Sequence, residues 1–155
     1  MATGLMEVQL VGAKGLKDTD FLGKSDPYVV IQYKTQQRKS SVVRGQGKNP
    51  TWNEKFTFKV DYPGSGAPYK IILNIMDKDT FSKDDFLGQA TIYVEDLLAR
   101  GVEKATAELP PLKYRVVAAD KTYRGEIQVG VTFTRKVEKN ATEGEAVGGW
   151  KQSGF

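Results

Sequence analysis

The chain has 155 residues, of which 39% are hydrophobic and 27% are charged, so its length and composition predict one globular domain. It contains no cysteine and no histidine, which excludes disulfides, zinc–cysteine sites, thiolate catalysis and any triad with histidine as its base. The formal net charge is +4, and the sequence shows neither a membrane-spanning run nor a secretory signal, so we expect a cytoplasmic protein.

Short strands bounded by turn residues are predicted along most of the chain, because hydrophobic and polar residues alternate with a period of two. Thr106–Leu109 has the weakest strand signal. The eight stronger segments are Met6–Leu10, Pro27–Tyr33, Gln37–Val43, Phe56–Val60, Ile71–Met76, Leu87–Tyr93, Leu112–Val117 and Gly125–Thr134. They predict an all-β fold, an eight-stranded antiparallel β-sandwich of two sheets.

Two further elements are predicted in the second half of the chain. The last two strands form a hairpin around the sequence ADKTYR. One short helix is predicted over Val94–Arg100, because Glu95 and Asp96 are acidic residues in its first turn and Gly101 is suited to end it.

The C-terminal sequence differs from the rest. From residue 136 it is rich in glycine and charge and has no periodicity, so we predict a domain over residues 1–135 and a flexible tail over residues 136–155. Trp150 and Phe155 are unusual in so polar a tail and are candidate contacts for a protein partner.

Acidic residues are concentrated in two windows of an otherwise basic chain. Residues 18–26 and 77–85 hold seven aspartates against three lysines, so these windows carry −4 and the remainder of the chain carries +8. Brought together in one site, the carboxylates would repel one another unless a cation lay between them. Five of them stand at spacings that indicate a multivalent cation: Asp20, Asp26, Asp77, Asp79 and Asp85. Oxygen ligands with few geometric demands favour calcium over magnesium.

The EF-hand, a common calcium motif, does not explain this spacing. DKDTFSKDDFLG matches an EF-hand loop at its first and third positions, but it has Ser82 at the required glycine and Gly88 at the required glutamate. The segment also lies between predicted strands. A turn-capping role would explain a single aspartate but not five in register. We therefore expect ligands from separate loops of a β-sandwich.

Three segments together resemble the C2 domain family: GLKDTDFLGKSDPYVVI, KNPTWNEKFTF and MDKDTFSKDDFLGQA. The resemblance covers about residues 4–134 and implies an antiparallel sandwich of eight strands with the calcium loops at one end. It points to the family's second permutation, in which the last strand takes the place of the other form's first. The whole chain is similar to small plant proteins that have a single C2 domain and a short tail, of the elicitor-responsive class.

The resemblance also implies a set of ligands for two or more calcium ions. These are Asp20 and Asp26 in the first loop, Asp77, Asp79 and Asp85 in the third, the hydroxyl of Ser82, and the backbone carbonyls of Phe21 and Lys78. Asp26 and Asp77 are placed to bridge two ions. Asp18 and Asp84 add negative charge without binding the metal.

The charge distribution suggests how calcium would control membrane binding. Without metal the acidic windows repel anionic phospholipid, whereas two calcium ions would neutralise them and leave the basic surroundings to attract it. Phe21, Leu22 and Phe81 are apolar residues in polar turns, so they are candidates for insertion into the membrane. For Leu22, packing back onto the core is an equal alternative.

A basic stripe is a second candidate membrane contact. It would consist of Lys34, Arg38, Lys39, Arg44 and Lys48 and would bind phosphoinositide headgroups. A solvated strand face explains these residues equally well.

We therefore predict a monomeric calcium-dependent phospholipid-binding module, recruited to the plasma membrane in plant stress and defence signalling. An enzyme is not expected, because loop tips on a compact sandwich rarely form the deep pocket that a hydrolase needs. The alternative is a calcium-independent protein- or RNA-binding adaptor that uses the basic surface. RNA is the weaker of these partners because the sequence has no aromatic stacking motif for it.

Overall fold

A computed structural model of the protein describes residues 2–16, 26–64, 66, 68–80 and 82–136. The strands are β1 (Ala2–Lys14), β2 (Pro27–Tyr33), β3 (Gln36–Lys39), β4 (Thr51–Tyr62), β5 (Lys70–Asp77), β6 (Asp85–Tyr93), β7 (Thr106–Val117) and β8 (Tyr123–Arg135), with helix α1 (Glu95–Lys104) between β6 and β7. Within these residues, no helix has the length and hydrophobicity needed to cross a bilayer. The predicted tail lies outside the described residues, except for Lys136.

All neighbouring strands are antiparallel, in the order β3-β2-β5-β6-β7-β8-β1-β4. The pairing between β6 and β7 is limited to one register pair, Gln89 with Val117. The strands therefore form two four-stranded halves, and both halves contribute side chains to one buried hydrophobic cluster. The predicted eight-stranded antiparallel sandwich is confirmed.

The core follows from the period-two alternation of the strands. On β1, Met6, Val8 and Leu10 are fully buried, while Leu5 and Glu7, which alternate with them, are exposed. Side chains of successive strand residues point to opposite faces, so only one face of each half meets the core. This burial of apolar side chains is the main favourable contribution to folding.

The sequence prediction for the third strand is wrong at its end, because a side chain interrupts the ladder. The structure ends β3 at Lys39 instead of Val43. There the hydroxyl of Ser40 accepts a hydrogen bond from the N–H of Val29 (2.8 Å), which takes the place of a backbone rung. The N–H of Ser40 still donates to the carbonyl of Val29 (2.8 Å), and the next backbone bond to β2 runs from the N–H of Val43 to the carbonyl of Pro27 (3.0 Å).

The weakest predicted strand is part of a longer one. Thr106–Leu109 and Leu112–Val117 form the single strand β7, which passes through Pro110 and Pro111 with a shift of register against β8. Proline has no N–H to donate, so the ladder is interrupted there without ending the strand.

The prediction that the helix ends at Gly101 is also wrong. Helix α1 continues to Lys104, and Ala105 follows it with φ of 77°. Gly101 is buried inside the helix, and a Cβ added to it would lie 2.3 Å from Cδ2 of Phe133 on β8. The glycine therefore serves packing against the aromatic ring and not helix termination.

The strand register defines two ends of the sandwich. At one end of the sandwich β1, β3, β5 and β7 finish and β2, β4, β6 and β8 begin. We call it the loop end. There Pro27 pairs with Asp77, Asp77 with Asp85, and Lys14 with Glu126. Helix α1, which joins the end of β6 to the start of β7, lies at the opposite or far end. Both acidic windows reach the loop end.

We predict that Gly101→Ala destabilises the protein by about 1–2 kcal/mol, although alanine normally favours a helix over glycine. The added methyl group would overlap the Phe133 ring. Chemical denaturation should show a lower midpoint. Combining it with Phe133→Leu, which makes room, should give less than the sum of the two single losses. Additive losses would contradict this packing role.

Candidate metal centre

Three of the predicted aspartates are brought together by the strand register at the loop end. Asp26 immediately precedes β2, Asp77 is the last residue of β5 and Asp85 is the first residue of β6. Because β5 pairs with both β2 and β6, these residues lie on three adjacent chain segments at the same end. Asp20 lies outside the described residues, as do Phe21, Leu22 and Phe81.

Asp77 is the most enclosed acid of the site. It is only 6% exposed, and its Oδ1 accepts a hydrogen bond from the N–H of Asp26 (2.8 Å). In return the carbonyl of Asp26 accepts one from the N–H of Lys78 (3.0 Å). Burying a carboxylate is costly unless it has such partners. The two hydrogen bonds hold the end of the first acidic window against the start of the second.

The side chain of Asp26 connects these segments to the β3–β4 connection. Its Oδ1 accepts a hydrogen bond from the N–H of Gly45 (3.1 Å), and its Oδ2 lies 3.5 Å from the guanidinium of Arg44. Arg44 was assigned to a basic stripe in the sequence analysis. In the structure its guanidinium lies beside an acid of the candidate site.

Asp84 organises the β5–β6 connection. Its Oδ1 accepts a hydrogen bond from the N–H of Asp79 (2.9 Å), while its Oδ2 accepts one from the hydroxyl of Tyr28 and lies 3.9 Å from Nζ of Lys78. The Tyr28 hydroxyl and then the Asp79 N–H hold the pKa of Asp84 below its ordinary value. Burial, followed by the bond to Asp84 and its charge, raises the pKa of Tyr28 to about 12. Both carboxylate oxygens of Asp84 are thus engaged within the protein.

Three predicted ligands lie on this connection, Lys78, Asp79 and Ser82. The hydroxyl of Ser82 donates a hydrogen bond to Oδ2 of Asp79 (2.9 Å), so these two oxygen groups are adjacent. Asp85 is exposed at the start of β6, and Lys78 donates its N–H to Asp26 as described above.

The donor set fits a hard cation in its chemistry, because it consists of carboxylate, hydroxyl and carbonyl oxygens. Its arrangement is not that of a finished site: among the residues that the structure describes, no three acidic side chains are grouped so as to hold a metal ion. Asp26 is engaged with Arg44 and Gly45, and Asp79 with Ser82. A cation would take the place of these hydrogen-bonding and charged groups.

The five predicted basic residues divide between two surfaces. On the β2–β3 hairpin, the cationic groups of Lys34, Arg38 and Lys39 lie over aromatic rings, those of Tyr69, Phe58 and Tyr28, at 4.3, 5.2 and 4.7 Å from the ring centroids. A cation–ring contact of this kind holds the cation in place while leaving it near solvent. Arg44 and Lys48 are exposed on the β3–β4 connection.

Sequence reasoning missed Tyr28 and Phe86. Tyr28 belongs to the recognised SDPYV segment, but only the fold shows that its hydroxyl reaches Asp84 across 56 residues. Phe86 follows Asp85 and is 39% exposed, whereas the next residue, Leu87, is buried. A register shift between β5 and β6 occurs beside them. In the sequence, the adjacent apolar residues Phe86 and Leu87 were the available signal, and they do not indicate which of the two faces outward.

We predict that Tyr28→Phe lowers the stability of the metal-free protein by about 1 kcal/mol, because Asp84 loses a hydrogen bond at a partly buried position. Thermal unfolding would measure this loss. Tyr93→Phe is the matched control, since Tyr93 is 74% exposed, and it should have little effect. Equal effects of the two substitutions would show that the Tyr28–Asp84 bond does not stabilise the fold.

Comparison with known proteins gives matches to one domain family. The family model for the C2 domain matches residues 4–109. The 16 kDa phloem protein 1 of Arabidopsis thaliana is 54% identical over 154 residues, covering 99% of this chain and 98% of that protein. Elicitor-responsive protein 1 of Oryza sativa subsp. japonica is also 54% identical over 154 residues, covering 97% and 96%.

Solved structures give the same result for the fold. A C2 domain-containing protein from a putative elicitor-responsive gene superposes with a TM-score of 0.69 at 39% identity, over 90% of this chain and 95% of that chain. The calcium-bound C2A and C2B domains of Extended-Synaptotagmin 2 superpose with a TM-score of 0.64 at 24% identity, over 86% and 46%. The second likeness concerns the fold alone.

Proposed function

Because this chain belongs to the C2 domain family, we propose that it is a module that docks on anionic phospholipid membranes when calcium binds at its loop end. The family is one of binding modules and the relatives named above are single-C2-domain proteins, so the chain is not an enzyme. The proposal concerns calcium dependence and the membrane as partner.

The observation that carries the proposal is the placement of Asp26, Asp77 and Asp85 on three adjacent chain segments, with Asp77 buried. Turn chemistry alone does not require acids from distant parts of the chain to meet. We propose that two or more calcium ions are held by these residues with Asp20, Asp79, the Ser82 hydroxyl and the carbonyls of Phe21 and Lys78. Bound calcium would supply positive charge and open coordination positions for lipid phosphate.

The chain's own charges account for the control of docking. The acidic windows oppose an anionic surface until they are neutralised, while the remainder of the chain, at +8, attracts it. Since calcium and lipid favour the same docked state, each must raise the affinity for the other by the same factor.

Apolar side chains would deepen the contact. We propose that Phe21, Leu22 and Phe81 enter the membrane, and the exposed ring of Phe86 adds a described residue at the same end. Burying about 100 Å² of one such side chain contributes about 2.5 kcal/mol before ordering costs. We also propose that the lysine and arginine side chains of the β2–β3 hairpin bind phosphoinositide headgroups, with Arg44 and Lys48 contributing nearer the loops.

The cellular setting is also a proposal. We place the protein in the cytoplasm, as a monomer recruited to the plasma membrane, and in plant defence signalling because a close relative is named elicitor-responsive. A calcium-independent adaptor remains the competing function. Binding that persists in chelator would favour the adaptor.

We predict that the natural chain sediments with phosphatidylserine vesicles in calcium and not in chelator, and that Asp77→Asn with Asp79→Asn abolishes this sedimentation. The double substitution removes two carboxylates from the calcium site without changing side-chain size. Thermal unfolding should show that the variant still folds but is no longer stabilised by calcium. At about 100 times the dissociation constant, calcium should stabilise the natural chain by about 2.7 kcal/mol.

The matched control is Asp61→Asn with Asp96→Asn. Both residues are exposed and lie at the far end, so the net charge changes equally while the candidate site is intact. The control should sediment like the natural chain. Equal loss in both variants would reduce the effect to overall charge and remove the case for a calcium site.

We predict that Arg44→Gln raises calcium affinity about two- to fivefold, because calcium no longer competes with the guanidinium beside Asp26. The gain is modest since the Arg44 side chain is 66% exposed and the ion pair is screened. Isothermal titration calorimetry without lipid would measure it. Arg44→Lys and the far-end Arg100→Gln should both stay close to the natural value. Weaker calcium binding in Arg44→Gln would show that Arg44 supports the site and does not compete for it.

A further inference from the structure

The turn that joins β7 to β8 also lies at the loop end. We define the β7–β8 turn as residues 118–124, which are the sequence ADKTYR with the residue before it and include the first two residues of β8. Val117 pairs with Tyr123 to close it. Just beyond it, Gly125 has φ of 89°, and a Cβ there would lie 2.3 Å from the carbonyl oxygen of Lys14. The residue that follows the turn is therefore packed directly against the end of β1.

On its other side the hairpin contacts β6, the strand that follows the second acidic window. Val117 forms the single register pair with Gln89 of β6, and a Cβ on Gly88 would lie 2.3 Å from Cγ1 of Val116. The β6 strand begins three residues earlier, at Asp85. The β7–β8 turn thus occupies the loop end beside both β1 and β6.

The turn is held in one conformation by its own hydrogen bonds. The N–H of Ala118 donates to the carbonyl of Thr122 (2.9 Å), and the N–H of Lys121 donates to the carbonyl of Ala118 (2.9 Å). Oδ1 of Asp120 accepts from the N–H and the hydroxyl of Thr122, at 3.1 and 2.6 Å. The side chains that project from the turn are therefore presented in a fixed arrangement.

Those side chains are basic and aromatic. Tyr123 is 64% exposed, and the guanidinium of Arg115 lies over its ring at 4.7 Å from the centroid. Lys121 and Arg124 are exposed on either side of it. From residue 115 to residue 124 there are three cations against one acid. An exposed tyrosine among cations suits the boundary between headgroups and acyl chains.

We propose that the β7–β8 turn is a membrane-contacting element that binds anionic lipid headgroups beside the calcium loops. The inference rests on the proposed function, because it requires the loop end to face the membrane. It adds a contact whose charge does not depend on calcium. The turn would draw the loop end toward an anionic surface while the acidic windows are still negative.

The experiment compares two triple variants of the same composition. The turn variant is Lys121→Gln, Tyr123→Ala and Arg124→Gln. The control is Tyr93→Ala, Arg100→Gln and Lys104→Gln, which removes one tyrosine, one arginine and one lysine at the far end. With phosphatidylserine vesicles and saturating calcium, the turn variant should partition about twentyfold more weakly. The control should stay within about twofold of the natural chain, because its charges lie more than a screening length from the docked surface.

The outcomes separate this inference from the proposed function. If the natural chain does not bind vesicles at any calcium concentration, both fail. If the natural chain binds and the turn variant binds equally well, or the control loses as much, only the role of the turn is overturned. Thermal unfolding of both variants checks that they fold.

A second measurement keeps the inference testable should the turn variant unfold. The chain has no cysteine, so a single one can be labelled without further changes. Ala119→Cys, in the turn, and Glu103→Cys, at the far end, are both exposed positions for a polarity-sensitive fluorophore. Vesicles should shift the emission to shorter wavelength at residue 119 only. No shift there, or an equal shift with RNA in place of vesicles, would overturn the inference.

Discussion

The buried carboxylate of Asp77 is the constraint on which the loop end depends. A polar side chain at so enclosed a position must be satisfied by the protein or by a ligand. The N–H of Asp26 satisfies one oxygen, and the bond from Lys78 back to Asp26 extends the β2–β5 ladder by one rung beyond its last paired residues. The sheet therefore sets the positions of the acids, and the loops that follow do not have to bring them together.

The surrounding groups show how the protein itself offsets the charge of such an acidic end. Arg44 lies beside Asp26, Ser82 donates to Asp79, and Tyr28 and Lys78 both approach Asp84. These partners fall into two kinds. Tyr28 is buried and holds Asp84 in a structural role, whereas Arg44 and Ser82 are exposed and can leave their acids at little cost. Asp84 therefore shapes the β5–β6 connection, whereas Asp26 and Asp79 can exchange their partners.

Much of this architecture was predictable because it depends on local alternation and on spacing. The bounds of β2 agree with prediction at both ends, and the acids adjoining β2, β5 and β6 were expected to converge. The errors arise where distant residues decide the outcome. Helix α1 runs past Gly101 because Phe133 needs the space, and β3 ends early because the Ser40 hydroxyl bonds to Val29. The pairing of Arg44 with Asp26 likewise needs the fold, since a charge run in sequence does not show which way each side chain points.

The position of β1 between β4 and β8 has a consequence for how the chain is made. Gly4 is opposite Val60 on one side and Arg135 on the other, so β1 is synthesised well before β8 and waits for nearly the whole described chain before its second edge is covered. Pairing at such sequence separation is slow, and an open edge can pair with other chains. The open edge of β1 is therefore exposed to misassembly until β8 has been synthesised.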